Sequence, residues 1–118
     1  MVDDAVGIGL VLRRHFERQG HTCEHIASGE AALARLDRAP RPDVALIDLV
    51  MPGMSGRELV AAVRERPGLA DLPMIILSGY GAVAQELPPP GTYQAVVAKP
   101  FDLKELDGVL SSVAGAVR

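Results

Sequence analysis

Short continuous apolar runs alternate along this chain with amphipathic helical stretches. The runs "VALIDLV" (44–50), "MIILS" (74–78) and "AVVA" (95–98) are short, aliphatic or β-branched, and bounded by Pro, Gly or Asp, the pattern of buried strands. "TCEHIA" (22–27) is more polar and suits an edge strand. Between them lie stretches of helical period. A helix is expected from about Ala5 to Gln19, with Ile8, Val11, Leu12 and Phe16 on one face and Gly20 as its stop. A second should run from about Gly29 to Arg38, turning Ala32, Leu33 and Leu36 inward. A third opens at "SGRE", where Ser55 and Glu58 have capping-box spacing and Met54 and Leu59 can staple the entry. Asp102 and Glu105 repeat that spacing before a last helix, 103 to about 114. Strand and helix alternate, which predicts a parallel sheet covered by helices on both faces.

Composition narrows this further. The 118 residues fit one domain that can bury its own core. Apolar residues are 48% of the chain but aromatics only 3%, so the core is aliphatic. The formal charge of -3 gives no basic footprint for nucleic acid. The single cysteine, Cys23, excludes an internal disulfide framework and fits a reducing cytoplasm. No stretch has the length of a membrane span, and the opening "MVDDAVGIGL" lacks the basic start of a signal peptide. No internal repeat is seen, and the only biased segment is "LPPPG" (87–91).

The acids carry the chemistry. Asp48 closes a buried strand, and Asp3 and Asp4 precede the first helix. In open parallel sheets, ligand sites lie beyond the carboxyl ends of the strands. Three carboxylates gathered there repel, at about 4 kcal/mol for two charges roughly 4 Å apart at an effective dielectric near 20. Either a proton or a cation must relieve this. A hard divalent ion with oxygen ligands, such as Mg²⁺, is the natural solution. Ser78 and Lys99 also stand where strands end. A hydroxyl and an ammonium facing such a cluster suit an arriving phosphoryl group, with Asp48 as its nucleophile.

The segments "VDD" (2–4), "LIDLVMPGMSG" (46–56), "LPMIILSGYG" (72–81) and "KPF" (99–101) together resemble a response-regulator receiver domain, the phosphoryl-accepting module of two-component signalling. The resemblance runs over nearly the whole chain. It implies a flavodoxin-like α/β fold, doubly wound, with five parallel strands in the order 2-1-3-4-5. Carried over, Asp48 is the phospho-acceptor. Asp4 is the more direct Mg²⁺ ligand, Asp3 acts partly through water, and the carbonyl of Val50 is a further ligand. Ser78 binds the phosphoryl group, Lys99 pairs with it, and the Lys99–Pro100 peptide is cis. Val50 and Tyr80, each two residues past a site residue, flank the path of hydrolytic water. The expected partner is a sensor histidine kinase or a histidine phosphotransfer protein, with a parent hybrid kinase a further possibility; neither nucleic acid nor a membrane is expected as a direct partner.

The chain also departs from that pattern. Only Met1 and Val2 precede Asp3, so the first strand is truncated, either trimmed or short enough to leave a groove. Val96 stands where the family usually has an aromatic, with Tyr93 three residues earlier. The fourth helix of the fold is short, about Ala82 to Leu87, before Pro88–Pro90 end it. A rival reading is a phosphohydrolase with an aspartyl-phosphate intermediate. Such enzymes usually carry a second acid two residues after the nucleophile, and here that place is Val50. An enzyme with steady turnover is therefore not expected. "GIG" at 7–9 lacks a third glycine for a phosphate loop and should merely weaken its helix. His15, His21 and His25 read as surface or edge residues, without ligand spacing to Cys23, which reads as a small buried residue. Arg13, Arg14, Arg35, Arg38 and Arg41 read as solvated.

Overall fold

A computed structural model describes residues 1–3, 6–38, 40–49, 51–78, 87–99 and 101–115, the side chains of Val6, Ile8 and Ala114 apart. Strands β1 (Ala45–Asp48), β2 (Met74–Ser78) and β3 (Ala95–Ala98) form a parallel ladder in the order β1-β2-β3. Val2 adds a parallel bridge to Ile47 on one side and to Ile26 on the other. The spatial order is therefore Ile26, Val2, β1, β2, β3. This is the expected 2-1-3-4-5 order, with the first two strands reduced to bridges among the described residues. Backbone bonds run through the junction: Val2 N–H donates to Leu46 O (2.7 Å), Asp48 N–H to Val2 O (2.8 Å) and Asp3 N–H to Ile26 O (3.0 Å). A cleft of about 670 Å³ is lined by Met1 together with residues 22–24 and 44–46.

The sheet sorts its side chains with period two. Ile47, Met74 and Ile76 join Val2, Ala32, Leu59, Val60 and Val63 in one cluster. Leu46, Ile75, Leu77 and Val97 face the other way, onto Leu12, Phe16, Leu106 and Leu110. Helices α2 (Gly29–Leu36) and α3 (Gly56–Glu65) thus cover one face, and α1 (Val6–Arg18) and α4 (Leu103–Gly115) the other. Met74 to Leu77 are fully buried. Burying each such side chain stabilises by about 1.5–3 kcal/mol before its entropy cost is counted.

The helix ends follow the local signals. Gly20, at φ 90°, closes α1, with its N–H bonded to Glu17 O (3.1 Å) and that of His21 to Phe16 O (3.1 Å). Ser28 caps α2 by accepting from Ala31 N–H at 3.2 Å. Ser55 and Glu58 form a reciprocal capping box on α3. Asp102 Oδ1 accepts from Glu105 N–H at 2.6 Å ahead of α4.

Several expectations need correction. Val11 is 61% exposed and does not share the buried face of Leu12 and Phe16; at 100° per residue it falls outside a stripe centred on those two. Residues 22–27 pair at Ile26 alone among strand-type bridges. Cys23 is only half-buried. Arg35 is not simply solvated: it pairs with Glu24 (2.7 Å) and donates to the carbonyls of Arg38 and Pro40. Arg41 bonds Gly68 O and Asp71. His15 is partly buried and binds both carboxylate oxygens of Asp107, at 2.8 and 3.0 Å, joining α1 to α4. The short helix expected near 82–87 lies outside the described residues except for Leu87, which, like Tyr93, packs on the first cluster.

Candidate phosphoryl-acceptor site

Asp3, Asp48 and Lys99 come from three strand ends and meet at the carboxyl edge of the sheet. Asp3 follows the Val2 bridge, Asp48 ends β1, and Lys99 follows β3. Lys99 Nζ lies 3.3 Å from Asp3 Oδ2 and 3.4 Å from Asp48 Oδ1. Asp3 is completely buried and Asp48 is 6% exposed. Buried carboxylates of this kind persist only with charge and hydrogen-bond partners. Lys99 keeps its backbone in step with the sheet, its N–H bonded to Ser78 O at 2.7 Å. That bond carries the β2–β3 pairing one residue past the Ser78–Ala98 register and brings Lys99 beside Ser78, which is half-buried.

The turn after β1 explains the density of Pro and Gly there. Gly53 adopts φ 75°, where a side chain is disfavoured. Gly56 N–H donates to Leu49 O at 2.9 Å, so α3 starts directly against the strand end. A Cβ on Gly56 would press on Asp48 O and stand 2.8 Å from Leu49 Cα. Glu30 Oε1 accepts from Met54 N–H at 3.3 Å and ties α2 to the same turn.

Of the residues expected at the site, Asp3, Asp48, Ser78 and Lys99 stand together at this edge. Asp4, Val50, Tyr80 and Pro100 lie outside the described residues. Among the described residues no three His, Cys, Asp or Glu side chains gather as a metal cluster; the third acid of the expected set is Asp4. Even so, Asp3, Asp48 and Lys99 sum to a net negative charge held on carboxylate oxygens. That donor set fits a hard divalent cation such as Mg²⁺.

Three participants were missed from the sequence. His25 Nε2 contacts the carbonyl oxygen of Asp3 at 2.7 Å, and its ring covers Gly9. Gly9 therefore does more than weaken its helix. Arg64 donates to Thr92 O (2.9 and 2.6 Å), Leu69 O (3.1 Å) and Leu72 O (2.7 Å), holding the loop that leads into β3. A signal for Arg64 existed, since it lies four residues after the buried Val60 on the apolar stripe of α3. Nothing in the sequence marked the pairing of His25 with Gly9.

Over residues 1–111 the chain matches the family described as response regulator receiver domain. It belongs to that family. It is 33% identical over 107 residues to the phosphate regulon transcriptional regulatory protein PhoB of Rhizobium meliloti (strain 1021), covering 90% of this chain and 47% of that protein. It is 32% identical over 108 residues to sporulation initiation phosphotransferase F of Bacillus subtilis (strain 168), covering 90% of this chain and 84% of that one. The chain thus spans about half the length of the first relative and most of the second. Among solved structures, the response regulator TrrA of Thermotoga maritima in complex with Mg(2+)-BeF superposes with a TM-score of 0.82 at 26% identity, covering 95% of this chain and 94% of that one. Receiver domains act with histidine kinases or phosphotransfer proteins in two-component systems. No helix among the described residues is long and apolar enough to cross a membrane.

Proposed function

We propose that this receiver domain accepts a phosphoryl group on Asp48 from a phosphohistidine of a kinase or phosphotransfer protein, with Mg²⁺ bound, in the cytoplasm. The observation that carries the reading is the convergence of Asp3 and Asp48 on the single ammonium of Lys99 at the carboxyl edge of the sheet. Asp3, Asp4, Asp48 and the Val50 carbonyl would hold the metal. When bound, Mg²⁺ neutralises the oxygens of the incoming phosphoryl group.

The protein's own part is positioning and charge. An Asp48 oxygen attacks phosphorus as the phosphorus–nitrogen bond to the imidazole breaks. The electron pair of that bond stays on the imidazole, which leaves and takes up a proton from water. Burial of Asp48 on the rigid end of β1 aims the nucleophile and limits its wandering. Lys99 lies within reach of both carboxylates and can follow the charge onto the new acyl phosphate. Ser78, on the adjacent strand end, offers a hydroxyl to a phosphoryl oxygen. Its movement toward that oxygen would be the first step of a two-state switch.

The test uses acetyl phosphate or phosphoramidate with Mg²⁺ and intact-mass detection. One phosphoryl group per chain is expected, labile to base, and none in Asp48→Asn. An adduct of equal yield in that variant would place the acceptor elsewhere, and steady release of many phosphates per chain would favour a hydrolase.

A further inference from the structure

The backbone of Asp3 is gripped from two directions. Its N–H donates to Ile26 O at 3.0 Å, and its carbonyl oxygen meets His25 Nε2 at 2.7 Å. A carbonyl oxygen only accepts, so Nε2 carries the hydrogen and donates it. That carbonyl belongs to the peptide joining Asp3 to Asp4. The two bonds together hold the Asp3 backbone at both its N–H and its carbonyl. The carboxylate of Asp3 is meanwhile committed to Lys99.

The ring of His25 is itself seated by a glycine. A Cβ on Gly9 would lie 2.5 Å from Nε2 and closer still to Cδ2, so only glycine lets α1 pass beneath the imidazole. Ala at this helical position would raise helix propensity, by roughly 1 kcal/mol. The ring's place against Gly9 is thus a reason for a residue that α1 alone would disfavour. The three elements that meet at His25 are the end of the first strand, residues 22–26 and α1.

We propose that His25 is a positioning residue for the acidic site, holding the backbone carbonyl of Asp3 in the orientation that a divalent cation's ligands require, with Gly9 as its seat. The inference rests on the reading of Asp3, Asp4 and Asp48 as that cation's site. Metal sites commonly lose about 10–100-fold in affinity when the groups that orient their ligands are removed. Here the link passes through a backbone carbonyl, so the lower end applies.

The experiment is Mg²⁺ titration of the full chain by NMR, followed at the Asp3 amide, for wild type, His25→Leu, His25→Gln and Gly9→Ala. His25→Leu keeps bulk but has no donor, and should weaken Mg²⁺ binding about tenfold. His25→Gln restores an N–H donor and should recover most of the affinity. Gly9→Ala should displace the ring and behave like His25→Leu. Equal affinity of His25→Leu and wild type would overturn the proposal, as would equal loss in the Leu and Gln variants. Absence of Mg²⁺ binding in wild type would instead defeat the cation-site reading, and this inference with it. A measurement independent of any variant's folding is the wild-type imidazole tautomer by ¹⁵N NMR. A hydrogen on Nε2 is expected, and an Nδ1–H tautomer with bare Nε2 would also overturn the proposal.

Discussion

Lys99 Nζ stands 3.4 Å from Oδ1 of Asp48, joining residues 51 positions apart in the chain across the ends of β1 and β3. The same nitrogen reaches Asp3 at 3.3 Å, so one cation serves two buried acids. Its side chain is 22% exposed, whereas those of Asp3 and Asp48 are 0% and 8% exposed. Coulomb attraction is therefore only weakly screened by water.

Removing this cation should cost more than removing a surface one. Lys99→Met leaves the two carboxylates without it, and breaking a buried pair from one side costs about 3 kcal/mol. Urea denaturation at neutral pH should show the loss as a lower midpoint with an unchanged slope. Millimolar Mg²⁺ should recover part of it, more than it adds to wild type. Stability equal to wild type without metal would mean that Lys99 does not compensate these acids.

Gly56 offers a second test close to the proposed acceptor. A Cβ there meets Asp48 O and Leu49 Cα, backbone atoms that cannot swing aside. Gly56→Ala should destabilise by about 2 kcal/mol, the scale of overpacking, despite the better helix propensity of Ala. Because the displaced atoms belong to Asp48 and Leu49, phosphoryl uptake from acetyl phosphate should slow as well. Thermal unfolding and the uptake rate together decide it; a variant with both at wild-type values would show that the strand end yields easily.

Much of this architecture was legible because its signals are local. The short continuous apolar runs at 74–78 and 95–98 are the strands β2 and β3. Gly20, Ser28, Ser55 and Asp102 close or cap helices through atoms only a few residues away. Asp48 and Lys99 were readable together because parallel strands put their ends on one edge. Contacts that depend on how distant segments pack were not legible. His15 finds Asp107 across 92 positions, and His25 finds Gly9 only once α1 crosses the sheet. Asp4, Val50, Tyr80 and Pro100 carry expectations that rest on the resemblance, since they lie outside the described residues.

Arg64 tests whether the approach to β3 depends on one side chain. Its guanidinium collects the carbonyls of Leu69, Leu72 and Thr92, and partial burial lowers its pKa without discharging it. Hydrogen bonds from charged groups contribute about 1.5–3 kcal/mol each where partners are desolvated, and they do not simply add. Arg64→Met should cost about 2 kcal/mol. It should also speed amide exchange at Gln94, whose N–H bonds Met74 O at 2.9 Å. Arg64→Lys should rescue little, because a single ammonium cannot span three carbonyls in a planar fork. Full rescue by lysine would show that charge alone holds the loop.

Cys23 makes a prediction whose sign depends on pH. Burial raises its thiol pKa above the ordinary value, since the half-buried site disfavours the thiolate. The thiol form is therefore favoured by folding, and that stability is fully present below the unfolded thiol's pKa of about 8.5. It is lost as pH rises through the higher folded value, because the unfolded chain gives up its proton first. Between these two values, native protein should react with iodoacetamide more slowly than urea-unfolded protein, since only the thiolate attacks. The rate–pH curve of the native protein should have its midpoint to the alkaline side of the unfolded one. Cys23→Ala should leave a smaller fall in stability on going from pH 8 to pH 10. A native thiol whose curve coincides with the unfolded one, or lies to its acid side, would mean that the pocket beside the short first strand admits enough water or positive charge to cancel the burial.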